Sequence, residues 1–67
     1  MKDYEIEAIL REPVKGYGRS VLMVVTAKNR QQAEGTAKKE FAVLTGLPVT
    51  LIEEINAAPI IQMLQEA

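Results

Sequence analysis

The most constraining feature of this chain is a short run, residues 21–27, that is apolar on both of its alternating faces. The two faces consist of Val21, Met23 and Val25 on one side and Leu22, Val24 and Thr26 on the other. β-Branched and apolar residues at this density are typical of a strand that is covered on both faces. We therefore expect a helix against one face, and either the C-terminal segment or a second subunit against the other.

Two further strands are predicted around this run. Apolar and polar residues alternate over residues 4–11, and residues 49–55 have the same two-residue period, which indicates half-buried strands. Residues 12–20 contain a proline and two glycines, Gly16 and Gly18. Because these residues interrupt regular structure, we expect a loop here that is longer than a tight hairpin turn.

A helix is predicted over residues 30–45. Asn29 is a favourable N-cap with Gln32 three positions later, and Gly46 stands where a left-handed residue ends many helices. Gly35 interrupts the helix with a residue about 1 kcal/mol less favourable than alanine. It indicates either close packing or simple tolerance. The helical spacing predicts a core-facing row made of Ala33, Ala37, Phe41 and Leu44.

The end of the sequence predicts a short amphipathic helix. Pro59 suits a first helical turn, and it precedes the apolar residues Ile60, Ile61, Met63 and Leu64. These four side chains are interpreted either as closing the protein's own core or as an interface with a twin subunit or a target.

The expected fold is a single α+β domain, residues 1–67, with β-β-α-β order followed by the short C-terminal helix. Strands 1 and 2 should pair antiparallel, and a right-handed crossover through the long helix should bring strand 3 in parallel to strand 2. The three-stranded sheet then carries the long helix on one face.

The residue types that are missing limit the function. The chain has no Cys and no His, so it lacks disulfides, soft metal ligands, the commonest general base and the most reactive nucleophile. The adjacent Glu53 and Glu54 should point to opposite faces of a strand and cannot act as a pair. We predict a non-catalytic protein without cofactors, and its small size favours a homodimer.

Charge is unevenly distributed along the chain. Residues 11–39 hold seven basic and two acidic residues, a net +5, although the whole chain is at −1. The candidate partner-binding residues are Lys15, Tyr17 and Arg19 in the loop and Lys28 and Arg30 at the helix start. A base stacked on the tyrosine with phosphates on the cations is one interpretation, and a solvated turn is the other. The pI of about 5.3 disfavours nucleic acid, which is retained as the alternative partner.

The acidic residues admit two interpretations as well. Glu5 and Glu7 on strand 1, with Glu53 and Glu54 on strand 3, could form a patch that mimics nucleic acid or binds a partner's lysines. Alternatively, these charges protect exposed edge strands from unwanted pairing, and this second interpretation is favoured.

The N-terminal sequence has no apolar signal region and no stretch long enough to span a membrane, so a soluble, cytoplasmic protein is expected. Residues 27–53 resemble the strand-helix-strand unit of small phage and plasmid proteins, and the layout is similar to that of some anti-CRISPR proteins. The positions concerned are Ala27, Gln32, Ala33, Ala37, Lys39, Glu40, Gly46, Val49, Ile52 and Glu53. This resemblance implies an accessory or inhibitory protein of a mobile element that acts by surface contact. No functional residues carry over from it.

Overall fold

The computed structural model describes residues 1–61 and confirms the α+β class and the β-β-α-β order. Its elements are β1 (Lys2–Val14), β2 (Gly18–Ala27), α1 (Arg30–Thr45), one turn of 3-10 helix (Val49–Leu51) and β3 (Ile52–Pro59). The long helix begins and ends at the predicted residues.

The three strands form one sheet in the order β2-β1-β3, and both pairings are antiparallel. The predicted antiparallel pairing of the first two strands is confirmed. Strand β3 runs in the same direction as β2, as expected, but β1 lies between them. The central strand is the one with four almost fully buried side chains on a single face, Tyr4, Ile6, Ala8 and Leu10. It gains a neighbour on each side.

Local capping explains why α1 is so well predicted. The Asn29 side chain accepts a hydrogen bond from the backbone N–H of Gln32 at 2.8 Å, and the Gln32 side chain accepts one from the N–H of Lys28 at 2.7 Å. At the other end Gly46 is left-handed, with φ 72°, and its N–H donates to the carbonyl of Ala42. These bonds satisfy backbone groups that a helix end would otherwise leave unpaired.

Several predicted strand boundaries are wrong. The loop is a tight turn instead of residues 12–20, since β1 runs to Val14 and the N–H of Tyr17 donates to its carbonyl at 2.9 Å. Gly16 supplies the positive φ of 92° that the turn needs. Strand β3 starts at Ile52 rather than residue 49, because residues 49–51 form the 3-10 turn.

The predicted start of a C-terminal helix is also wrong. Pro59 is the last residue of β3, where it pairs with Tyr4, and Ile60 and Ile61 are not helical. The N–H of Ile60 donates to the carbonyl of Asp3 at 2.9 Å and so extends the sheet instead. The remainder of the predicted helix, including Met63 and Leu64, lies outside the described residues.

The core lies between α1 and one face of the sheet. The helix contributes Ala33, Ala37 and Phe41, and β2 contributes Met23, Val25 and Ala27. Leu44, predicted to join this row, is exposed. The buried positions follow steps of four residues, and the next such step after Phe41 is Thr45, which is half-buried.

The environment of Gly35 decides between the two interpretations of this glycine. The residue is exposed, its φ is not positive, and an added Cβ would meet nothing within 4 Å. Close packing does not require it. We expect Gly35→Ala to raise the free energy of unfolding by about 0.5–1 kcal/mol, because alanine loses less backbone entropy in a helix. Urea unfolding monitored by circular dichroism measures this change.

Gly46→Ala is the matched control for that substitution. Gly46 also has open space around it, but its φ of 72° is left-handed. The same added methyl should therefore lower stability by about 1–2 kcal/mol. Equal effects of the two substitutions would contradict this account of the helix.

Candidate functional site

The sheet face opposite α1 carries exposed apolar side chains beside acidic ones, and we name it the open face. Its residues follow from the strand register and the alternation of side chains. They are Asp3, Glu5, Glu7 and Ile9 of β1, Ser20, Leu22, Val24 and Thr26 of β2, and Glu54, Asn56 and Ala58 of β3. No helix or strand of residues 1–61 lies over this face.

Apolar and acidic residues form two adjacent rows on the open face. Glu5 is paired with Val24, and Glu7 is paired with Leu22, which places the Cβ atoms of each pair about 5 Å apart. Leu22 and Val24 are 67% and 62% exposed. The row of β2 is therefore apolar and accessible, and the row of β1 beside it is anionic.

The third row, on β3, completes the surface. Glu5 faces Ala58, Glu7 faces Asn56, and Ile9 faces Glu54. Glu54 is thus a diagonal neighbour of Glu7, and it is one of four carboxylates on this side of the sheet. The side chains of β3 directly opposite Glu5 and Glu7 are uncharged.

The position of β1 in the sheet changes the interpretation of its charges. Protection of an edge strand requires the charged strand to lie at an edge, but β1 is the central strand. Glu5 and Glu7 therefore cannot be edge-protecting residues. Glu53 differs from them, because it is the extra residue of a bulge in β3: Ile9 pairs with Glu54 and the next residue of β1 pairs with Ile52.

Asp3 has a structural partner that the other open-face carboxylates do not share. The hydroxyl of Thr26 donates to its Oδ1 at 2.8 Å. This bond links the beginning of β1 to the end of β2, where the two residues are directly paired. We therefore assign Asp3 to the fold, and Glu5, Glu7 and Glu54 to the candidate site.

Two shallow depressions of about 280 Å³ and 240 Å³ mark the surface of the described protein. The first lies on the open face, beside Glu5, Glu7, Leu22 and Asn56. The second lies between α1 and β3 and is lined by Glu34, Lys38 and Glu53 among others. Both are smaller than the usual range of about 300–1,000 Å³ for small-molecule pockets.

The residues predicted to bind a partner fall into two separate groups. Lys15, Tyr17 and Arg19 lie at the tip of the β1–β2 hairpin, where Tyr17 is 43% exposed. Lys28 and Arg30 lie just after β2, at the start of α1. Residues 20–27 of β2 lie between the groups, a separation of about 30 Å, so the groups do not form one continuous surface.

The predicted apolar interface is described only in part. Ile60 and Ile61 are 42% and 74% exposed, and Met63 and Leu64 lie outside the described residues.

Sequence reasoning missed Leu22 and Val24 as exposed residues. The sequence did contain a signal for this exposure. Strand 1 carries glutamates at alternate positions, and these charges are incompatible with a purely apolar layer packed on that side of the sheet.

Other classes of site find no support in the described part of the chain. Residues 1–61 contain no group of three or more acidic side chains placed to hold a metal ion. Within the same residues, no helix combines the length and the apolar character that crossing a membrane requires. Comparison with protein-family models, with curated proteins and with solved structures finds no significant match to this chain.

Proposed function

We propose that this chain is a non-catalytic, cytoplasmic protein-binding module whose open face receives a basic amphipathic helix of another protein. One observation carries the proposal: Glu5 and Glu7 project from the central strand directly beside the exposed Leu22 and Val24. A row of anions next to a row of apolar groups is complementary to a helix with a row of cations next to a row of apolar residues.

The spacing along the strand supports a helix as the partner. Glu5 and Glu7 are two strand residues apart, or about 6.6 Å. Cations at positions i and i+4 of an α-helix are about 6 Å apart along its axis, so they can meet both carboxylates. Covering the sheet with a second helix would also complete the layered arrangement that α1 begins on the other face.

The chemistry of the chain supports binding rather than catalysis. Histidine and cysteine are absent from the sequence, and the acidic side chains on the open face border an exposed apolar row instead of an enclosed pocket. A protein that occupies a basic surface on its partner can block that surface. This is the accessory or inhibitory role that the resemblance to mobile-element proteins implies, and it forms part of the same proposal.

The test uses a fluorescent helical peptide with one row of lysines beside one row of leucines. We expect anisotropy titrations to show binding by the full chain that weakens as salt is added, because the contacts are solvent-exposed ion pairs. Replacing both Glu5 and Glu7 by glutamine should weaken binding about tenfold, since two charge-assisted contacts are lost.

Glu12→Gln combined with Glu40→Gln is the matched control. It removes the same number of charges from exposed positions outside the open face, and it should leave the affinity nearly unchanged. Equal weakening by both double variants would show that only net charge matters and would refute the proposal. Equally tight binding of a peptide with glutamates in place of lysines would do the same.

Nucleic-acid binding, the alternative predicted from the sequence, has weaker support. The basic residues predicted to bind phosphate form two groups at opposite ends of β2, and the acidic Glu5 and Glu7 lie on the neighbouring strand between them. Phosphate backbones need a continuous run of cations. This alternative stays a prediction, and titrating a labelled single-stranded oligonucleotide in place of the peptide tests it in the same assay.

A further inference from the structure

The two edges of the sheet differ in how well they are protected. Edge strands in natural proteins are kept from pairing by charges, prolines and bulges. The edge strand β3 has all three: the bulge at Glu53, the neighbouring charge of Glu54 and the terminal Pro59. These features disfavour the pairing of β3 with a further strand.

The other edge strand, β2, has none of these features over most of its length. Residues 20–27 are eight consecutive residues without a charge or a proline. Their register with β1 runs without interruption from Ser20 to Ala27. No strand of residues 1–61 lies on the outer side of β2, where every second backbone N–H and C=O group points away from β1. Such an edge is a template for a further strand.

We propose that β2 pairs antiparallel with β2 of a second copy, around a two-fold axis that passes between the two Met23 residues. The two sheets then join into one continuous six-stranded sheet with both α1 helices on the same side. This inference shares Leu22 and Val24 with the proposed partner site, but it rests on the strand edge and not on the carboxylates of β1.

The side chains of β2 favour a second copy of this chain as the source of the strand that pairs with this edge. In this register Leu22 lies opposite Val24 of the partner subunit, and the symmetric pair is formed at the same time. The two most exposed apolar side chains of the strand thereby cover each other. A shift by two residues in either direction would place one of them opposite a hydroxyl-bearing residue, Ser20 or Thr26. Two copies of the uncharged β2 edge can also pair without charge repulsion. Packing the open faces of two copies against each other would instead bring their glutamates close together.

Sedimentation velocity of the full chain, from micromolar to near-millimolar concentration, is the primary test. We expect a monomer–dimer equilibrium, and we expect Val24→Lys to raise the dimer dissociation constant at least tenfold, because a lysine on an edge blocks pairing. Val43→Lys is the matched control. It makes the same change at an exposed helix position away from β2 and should leave the equilibrium unchanged.

Cysteine cross-linking tests the register directly, since the chain has no cysteine of its own. A mixture of the Leu22→Cys and Val24→Cys variants should form a disulfide-linked heterodimer on mild oxidation, because directly opposite strand residues have suitable separation. Each variant alone should cross-link far more slowly, since its two cysteines lie on diagonal positions.

Three results would overturn the inference. The first is a wild-type chain that stays monomeric throughout the concentration range. The second is a dimer that Val24→Lys does not weaken, which would place the interface elsewhere. The third is a monomer that dimerises only after residues 62–67 are removed, which would assign the edge to that segment. The glutamine variants at positions 5 and 7 leave β2 unchanged, so a failure of peptide binding is distinguishable from each of these results.

Discussion

Replacing Phe41 by alanine is expected to lower the free energy of unfolding by about 3–5 kcal/mol. Phe41 is the only phenylalanine in the sequence, and it is one of the largest fully buried side chains, together with Ile6 and Leu10. Small domains have about 0.05–0.15 kcal/mol of stability per residue. For 67 residues this is about 3–10 kcal/mol, so the substitution should remove a large part of the total stability, which urea unfolding followed by far-ultraviolet circular dichroism would detect.

Val43→Ala is the control for Phe41→Ala. Val43 lies two residues further along the same helix and is 79% exposed, so the change should be neutral or slightly stabilising, since alanine is the better helix former. Phe41→Leu keeps most of the buried volume and gives a folded variant of intermediate stability for urea titration. A Phe41→Ala protein as stable as Val43→Ala would show that the described core is wrong.

Replacing Leu10 by alanine is the second substitution with a large expected effect, about 2–5 kcal/mol. Leu10 is fully buried in the central strand and pairs with Ile52 of β3, directly beside the bulge at Glu53. The cavity left behind would loosen the end of the sheet where β1 contacts β3. The loss should appear as a lower midpoint in urea unfolding, with little change in slope.

Leu44→Ala makes the identical chemical change at a position that is 61% exposed. We expect it to alter stability by less than about 0.5 kcal/mol. The comparison also tests which face of α1 is buried, because the helical spacing predicts Leu44 in the core and the structure places it at the surface. If the two leucine variants lost equal stability, Leu44 would be buried in solution and the structural account of α1 would be wrong.

The parts of the fold that depend on local chemistry were predictable. The bounds of α1 follow from Asn29, Gln32 and Gly46, which are hydrogen-bonded or left-handed within the helix ends themselves. The tight turn was less predictable, because Pro13 and Gly18 suggested a longer break, although β1 and β2 extend through both residues.

The order of the strands was not predictable by the same means. Pairing of β1 with β3 joins residues about 50 positions apart, such as Ile6 and Ala57. An alternating pattern does not specify a neighbour, only which side of a strand is apolar. The candidate site depends on this order, because Glu5 and Glu7 would protect an edge only if β1 were an edge strand, and β1 is central.

The strand β2, which is apolar on both faces, is covered on only one of them by the described residues. One face of β2 is buried under α1, as predicted, but Leu22 and Val24 on the other face are exposed within residues 1–61. Both proposals follow from this exposure. A bound helix would cover these side chains from above, and a second copy would cover them from the side.

The central place of β1 in the sheet has a consequence for how the chain folds during its synthesis on the ribosome. Of the three strands, β1 is synthesised first and needs two neighbours, and the second of these, β3, is separated from it by β2 and α1. Until β3 emerges, one long side of β1 has no partner and presents bare amide groups to other nascent chains. Faster translation of the α1 segment would shorten the time during which this side of β1 lacks a partner strand.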